Sequence, residues 1–283
     1  MDTLTPEEFL RGCNEFEKRE GRDAMYKVAT FLVSHFWGKP ADMTDGLGVL
    51  LLTWNQAFYR YGIFDFEKLE RCITDNFQKI ENFRNRDISS LSNDDSSEIK
   101  DLFDRFFEAL QIDIMRFSDK NTKKHTKKHL EELLGKWDIN YEGSNLKAIY
   151  ESIKEDPRIK RAIEFIQGDE TDSKKEYIQI TISKLGDMEK NVLTSTRLIM
   201  KSPVAVAKTL HILAPRFFPL WDDKIARAYD CYYNQDPSGK YVKFCMITRS
   251  MVEKMQGHVT REDKTIIKLI DEYNYSKHTK GWI

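Results

Sequence analysis

The sequence predicts an all-α protein, and three observations carry that expectation. Apolar residues recur every three to four positions along most of the chain, the period of a helix that buries one face. Helix-start signals punctuate those periodic stretches, beginning with Thr5-Pro6-Glu7-Glu8. Only 13 Gly and 7 Pro occur in 283 residues, too few for the many tight turns of an all-β design.

Taken in order, Thr5 supplies an N-cap, Pro6 a first helical residue and Glu8 a capping-box carboxylate. A helix of about four turns should follow, with Phe9, Leu10, Cys13 and Phe16 on one face. A second amphipathic helix is expected over 25–36. The segment 47–61 is apolar on most sides and reads as a central, buried helix. Gly62 stops it, and Asp65 caps a helix running to Ile80. Asp95 or Ser96 opens the next, with Ile99, Leu102, Phe103, Phe106, Phe107 and Leu110 at helical spacing. From 118 to 172 the chain is more polar, with short helices expected around 130–134 and 145–154 and an exposed turn at Gly168. The stretch 177–183 alternates apolar and polar; it reads as a helix because no partner strand is evident. Helices over 187–200, 203–214, 222–233, 239–255 and 261–274 complete the chain, the last opened by Thr260 with Asp263.

Composition narrows the function classes. Hydrophobic residues make up 40% and charged residues 32% of the chain, as in a globular protein in water. No run of eighteen apolar residues could span a membrane. The acidic opening Met1-Asp-Thr-Leu-Thr lacks the basic and apolar regions of a signal peptide, so a cytoplasmic location is expected. Cys13, Cys72, Cys231 and Cys245 have neither zinc nor iron–sulfur spacing and read as reduced thiols. The six histidines lack ligand spacing with acidic partners, so no metal or cofactor is expected. A net charge of −1 argues against a protein that coats DNA non-specifically. It leaves room for a local basic face. Lys123, Lys124, Lys127 and Lys128, inside 116–129, form one candidate; a solvated surface run is the alternative.

The most telling stretch is Ser202-Pro-Val-Ala-Val-Ala-Lys208-Thr, followed by a Pro-bounded aromatic loop and then Trp221-Asp222-Asp-Lys-Ile225-Ala-Arg227. This order resembles the catalytic segment of the helix-hairpin-helix DNA glycosylases. There a Pro-Gly-Val-Gly-x-Lys hairpin precedes a helix, and an aspartate opens the next one. Upstream, Leu50-Leu-Leu-Thr-Trp-Asn55-Gln56-Ala-Phe-Tyr59-Arg60 resembles the family's buried helix that ends in an amide-bearing wedge.

The resemblance implies two helical lobes around a cleft and a reaction that excises a modified base from duplex DNA. It assigns 45–62 as the wedge-bearing helix, 116–180 as a variable insert and 185–235 as the catalytic segment of a single 1–283 unit. Asp222 would be the carboxylate and Lys208 the nucleophile. An N-cap aspartate is held by backbone N–H groups, and an amine near a helix start is biased toward its neutral form. Asn55, with Gln56 beside it, would fill the gap left by the flipped base. Tyr59 and Arg60 would lie near the DNA, and Trp221 would stack in the pocket. The departures are clear: Val204 and Val206 stand where the family has glycines, so any hairpin must be distorted and phosphate cradling is weakened. The loop before Asp222 is also short. The divergence resembles glycosylases that bacteria turn against phages with hypermodified bases. The alternative is a non-catalytic helical DNA- or protein-binding module. The protein is expected to act as a monomer.

Overall fold

The computed structural model describes residues 4–19, 23–54, 65–113, 199–258 and 264–283, and these are mostly helical. We number the described helices α1 (Pro6–Arg19), α2 (Asp23–His35), α3 (Pro40–Trp54), α4 (Phe66–Arg84), α5 (Asp95–Ala109), α6 (Pro203–Leu213), α7 (Asp223–Ala228), α8 (Pro237–Met255) and α9 (Ile266–Asn274). A 3-10 turn spans Ile88–Ser90, and a π-helical turn, Tyr275–Lys280, follows α9 without a break. No described helix is long and apolar enough to cross a membrane.

By contacts the chain divides into two compact units, 1–48 with 66–110 and 202–283, and 49–65 with 111–201. In the first, α1 packs on α9, α5 on α4 and α8, α6 on α2 and α5, and α7 on the π-helical turn. The capping rules explain where these helices begin. Thr5 Oγ1 accepts from the Glu8 amide, Ser202 caps α6 ahead of Pro203, and Asp236 caps α8 ahead of Pro237. Asp95 accepts from the Ser92 amide and hydroxyl while pairing with Arg86 at 2.6 Å. That pairing holds its carboxyl down to about 2.

The core of this unit is aromatic. Phe103, Trp221, Tyr241 and Phe244 interlock at ring separations of 4.9–6.3 Å, and Phe83, Phe217 and Phe218 extend the cluster. Burying each such ring contributes on the order of 1.5–3 kcal/mol. On the other side, α1 and α9 approach so closely that a methyl group on Gly12 would lie 2.7 Å from Tyr273 Cδ2.

The described part of the second unit is small. It contains the end of α3 and an antiparallel ladder of two two-residue strands, Ile112–Asp113 (β1) and Ile199–Met200 (β2). The expectations for 118–172, 177–183 and most of 187–200 lie outside the described residues. At 199–200 the helix expected over 187–200 is replaced by β2, whose backbone partner β1 lies far upstream in the chain, a pairing that local periodicity cannot reveal.

Other boundaries shift for identifiable reasons. The α3 helix starts at Pro40 rather than 47; Leu47, Leu50 and Leu51 are fully buried, as expected of the apolar segment, and so is Met43, while 55–61 of that segment lies outside the described residues. Leu10 is 38% exposed and turned away from the face formed by Phe9, Cys13 and Phe16. The α7 helix is six residues rather than twelve, because Asp230 adopts a left-handed φ of 54° that a continuing helix forbids. Thr265, not Thr260, caps α9, its hydroxyl accepting from the Lys268 amide.

Candidate functional site

Asp222 is the N-cap of α7. Its Oδ1 accepts from the Ile225 amide at 2.8 Å, satisfying one of the helix's orphan donors. Its Oδ2 accepts from the Thr279 hydroxyl at 2.6 Å, a contact across 57 residues of sequence. The carboxylate is thus gripped on both oxygens at the positive end of a helix, and the residue stays partly exposed.

Lys208 sits on the second turn of α6, where all but two residues, Lys208 and Val204, are buried. The hairpin expected ahead of it is not there. Pro203, Val204, Ala205 and Val206 form the first turn of α6, with Ser202 Oγ accepting from the Ala205 amide. Serine followed by proline is a helix-start pair, and without glycines these residues take the helical conformation it favours.

Asp271, at the start of the last turn of α9, lies within the electrostatic reach of both candidates. Its side chain is 12% exposed and receives the Lys268 ammonium at 3.1 Å. Burial raises its carboxyl above the ordinary range, the Lys268 charge opposes that rise, the Asp222 charge adds to it and the Lys208 charge opposes it. Asp222 and Lys208 therefore act on one buried carboxyl. His278, half-buried, is pushed down by burial and by Lys277, with Asp222 and Glu8 pulling the other way. Lys224 donates to the Thr279 carbonyl at 2.8 Å, so a cation flanks the aspartate's partner.

Comparison of the chain with protein-family models, curated proteins and solved structures finds no match.

Trp221 is not a pocket wall. It is 2% exposed, its indole N–H donates to the Pro203 carbonyl at 3.2 Å, and rings of Phe103, Tyr233, Tyr241 and Phe244 surround it. No face remains for a base, because α5 and α8 fill the space around the ring. It instead pins the loop before Asp222 to the start of α6. Asn55, Gln56, Tyr59 and Arg60 lie outside the described residues, as do Lys123, Lys124, Lys127 and Lys128.

Sequence reasoning missed Thr279 and Asp271. Both belong to a carboxy-terminal segment with no motif of its own, brought to Asp222 by tertiary packing. A cavity of about 660 Å³ opens elsewhere in this unit, lined by Tyr26, Thr30, Phe31, Ser34, Asp87, Arg216, Lys264 and Thr265 among others. Among the described residues, Asp222, Lys208 and Trp221 are not part of its lining. No group of three or more His, Cys, Asp or Glu among the described residues could hold a metal.

Proposed function

We propose that this protein is a DNA glycosylase that excises a modified base and leaves an abasic site. The observation that carries the reading is the Asp222 carboxylate, held by the Ile225 amide and the Thr279 hydroxyl at a helix N-terminus. Breaking the bond between base and sugar develops positive charge on the sugar, and a fixed carboxylate is what stabilises it. The electron pair of that bond leaves with the base, which takes a proton. Water adds to C1′, and its proton is lost to solvent. In the lyase variant of the reaction, Lys208 replaces water as nucleophile. Rotating the nucleotide out of the duplex is required first, and Asn55 and Gln56 are the proposed wedge. Lys123, Lys124, Lys127 and Lys128 are proposed to meet the phosphates.

A second reading, a non-catalytic helical DNA- or protein-binding module, is favoured by two observations. The hairpin positions are helical, and the 660 Å³ cavity lies away from Asp222 and Lys208. The deciding experiment incubates the protein with duplex DNA carrying diverse base modifications, phage DNA included, and assays abasic sites. Abasic sites in any substrate support the enzyme; DNA binding without them supports the module. Borohydride trapping of an adduct that Lys208→Gln abolishes would assign the lyase, whereas base release without trapping assigns water, the outcome we expect.

A further inference from the structure

The π-helical turn at the end of α9 has no local cause. A π-turn has weaker geometry than an α-turn, is rare, and occurs disproportionately at functional sites. Here tertiary ties hold it. The Ser276 hydroxyl donates to the Gly12 carbonyl at 2.8 Å, the Lys277 ammonium pairs with the Glu8 carboxylate, and Lys224 donates to the Thr279 carbonyl. Gly281, at φ 63°, closes the segment, and the Trp282 amide returns to the Ser276 carbonyl at 2.8 Å. Each residue of an α-helix turns the chain by about 100°, so one extra residue per turn re-aims every side chain beyond it. The side chain so aimed at Asp222 is Thr279.

Capping of α7 needs only one carboxylate oxygen, and the Ile225 amide already occupies Oδ1. The Thr279 hydroxyl at 2.6 Å fixes the other. With both oxygens tethered from different elements, the carboxylate plane cannot rotate about its χ2 bond. That rotation is otherwise soft for aspartate.

We propose that Thr279 is a positioning residue for Asp222, and that the π-helical turn is the device that delivers it. The proposal rests on the reading of Asp222 as the carboxylate that faces the sugar. It predicts that the hydroxyl, not the bulk of Thr279, matters. Thr279→Val keeps shape and loses the donor; Thr279→Ser keeps the donor.

Two readouts are compared in wild type, Thr279→Val and Thr279→Ser. One is the single-turnover rate of base release together with substrate affinity. The valine variant should lose about tenfold or more in rate at nearly unchanged affinity, and the serine variant should recover to within about threefold. The other is hydrogen exchange of the Ile225 amide, which reports whether Asp222 is held and needs no activity. It should quicken about tenfold in the valine variant and return in the serine variant. Unchanged exchange and rate in Thr279→Val would overturn the proposal. So would equal losses in the valine and serine variants with a common fall in melting temperature, the mark of a purely structural tie. If the wild-type protein releases no base from any DNA, the enzymatic reading fails by itself, and the Ile225 exchange still decides whether Thr279 positions Asp222.

Discussion

Lys268 and Glu272, both with no exposed side-chain surface, face one another one turn apart on α9 at 3.3 Å. Lys264, 3% exposed, reaches the same carboxylate at 2.9 Å and also meets Glu17, while Lys268 extends to Asp271 and lies over the Phe16 ring. Charges this deep persist only when paired, because removing one leaves the others desolvated without compensation. Glu272→Gln should therefore destabilise the fold by about 3 kcal/mol in urea unfolding. An effect below about 1 kcal/mol would mean that Glu17 and Asp271 suffice to hold both lysines.

His211 links α6 to α2 in its neutral form. One ring nitrogen meets the Phe218 carbonyl at 2.7 Å and the other the Tyr26 hydroxyl at 3.1 Å. Burial, reinforced by the Lys268 charge, pushes its pKa down to about 3. Between about 6.5 and 3 the unfolded chain then binds a proton that the folded chain does not. Stability from this group is complete above 6.5 and drains as pH falls through that window. Lowering pH from 7.5 to 5.5 should cost about 1.4 kcal/mol more in the wild type than in His211→Gln, by urea unfolding at both values. Parallel losses in the two proteins would show that His211 is charged in the fold.

Gly12 tests the closeness of α1 and α9. In a free helix, alanine would gain about 1 kcal/mol over glycine. Here the added methyl would meet Tyr273 Cδ2 at 2.7 Å and Tyr273 Cα at 3.2 Å, and backbone cannot yield cheaply. Gly12→Ala should therefore lower the melting temperature, and a rise would refute the packing described.

Helix starts were legible because their signals are local. Thr5-Pro6 and Ser202-Pro203 each set a cap and a compatible first residue within two positions. At Pro203 this local rule outweighs the resemblance to a hairpin. Trp221 reads as a pocket residue in sequence and is core in the fold, because Phe103, Tyr241 and Phe244 arrive around it from other helices. The burial of the Lys268–Glu272 pair carries no local signal, because Phe16 and Tyr26, whose rings lie against Lys268, come from α1 and α2. Thr279 was illegible for the same reason: its π-turn is set by Gly12, Glu8 and Lys224, not by its own sequence.

The basic run gives an electrostatic prediction. Replacing Lys123, Lys124, Lys127 and Lys128 together by glutamine should weaken duplex binding. It should also reduce the slope of log affinity against log salt by about 0.9 for each phosphate that is no longer neutralised. An unchanged slope would make this run a solvated surface.

The central claim is that the Asp222 charge lowers the barrier to base release. Asp222→Asn retains the size and much of the capping ability while removing that charge. The decisive measurement is its single-turnover rate of base release, on whichever modified duplex the wild-type protein acts upon, with the melting temperatures compared. The account predicts a rate lower by at least about a hundredfold, with a melting temperature within a few degrees of the wild type. A well-folded Asp222→Asn protein releasing base at the wild-type rate would contradict it.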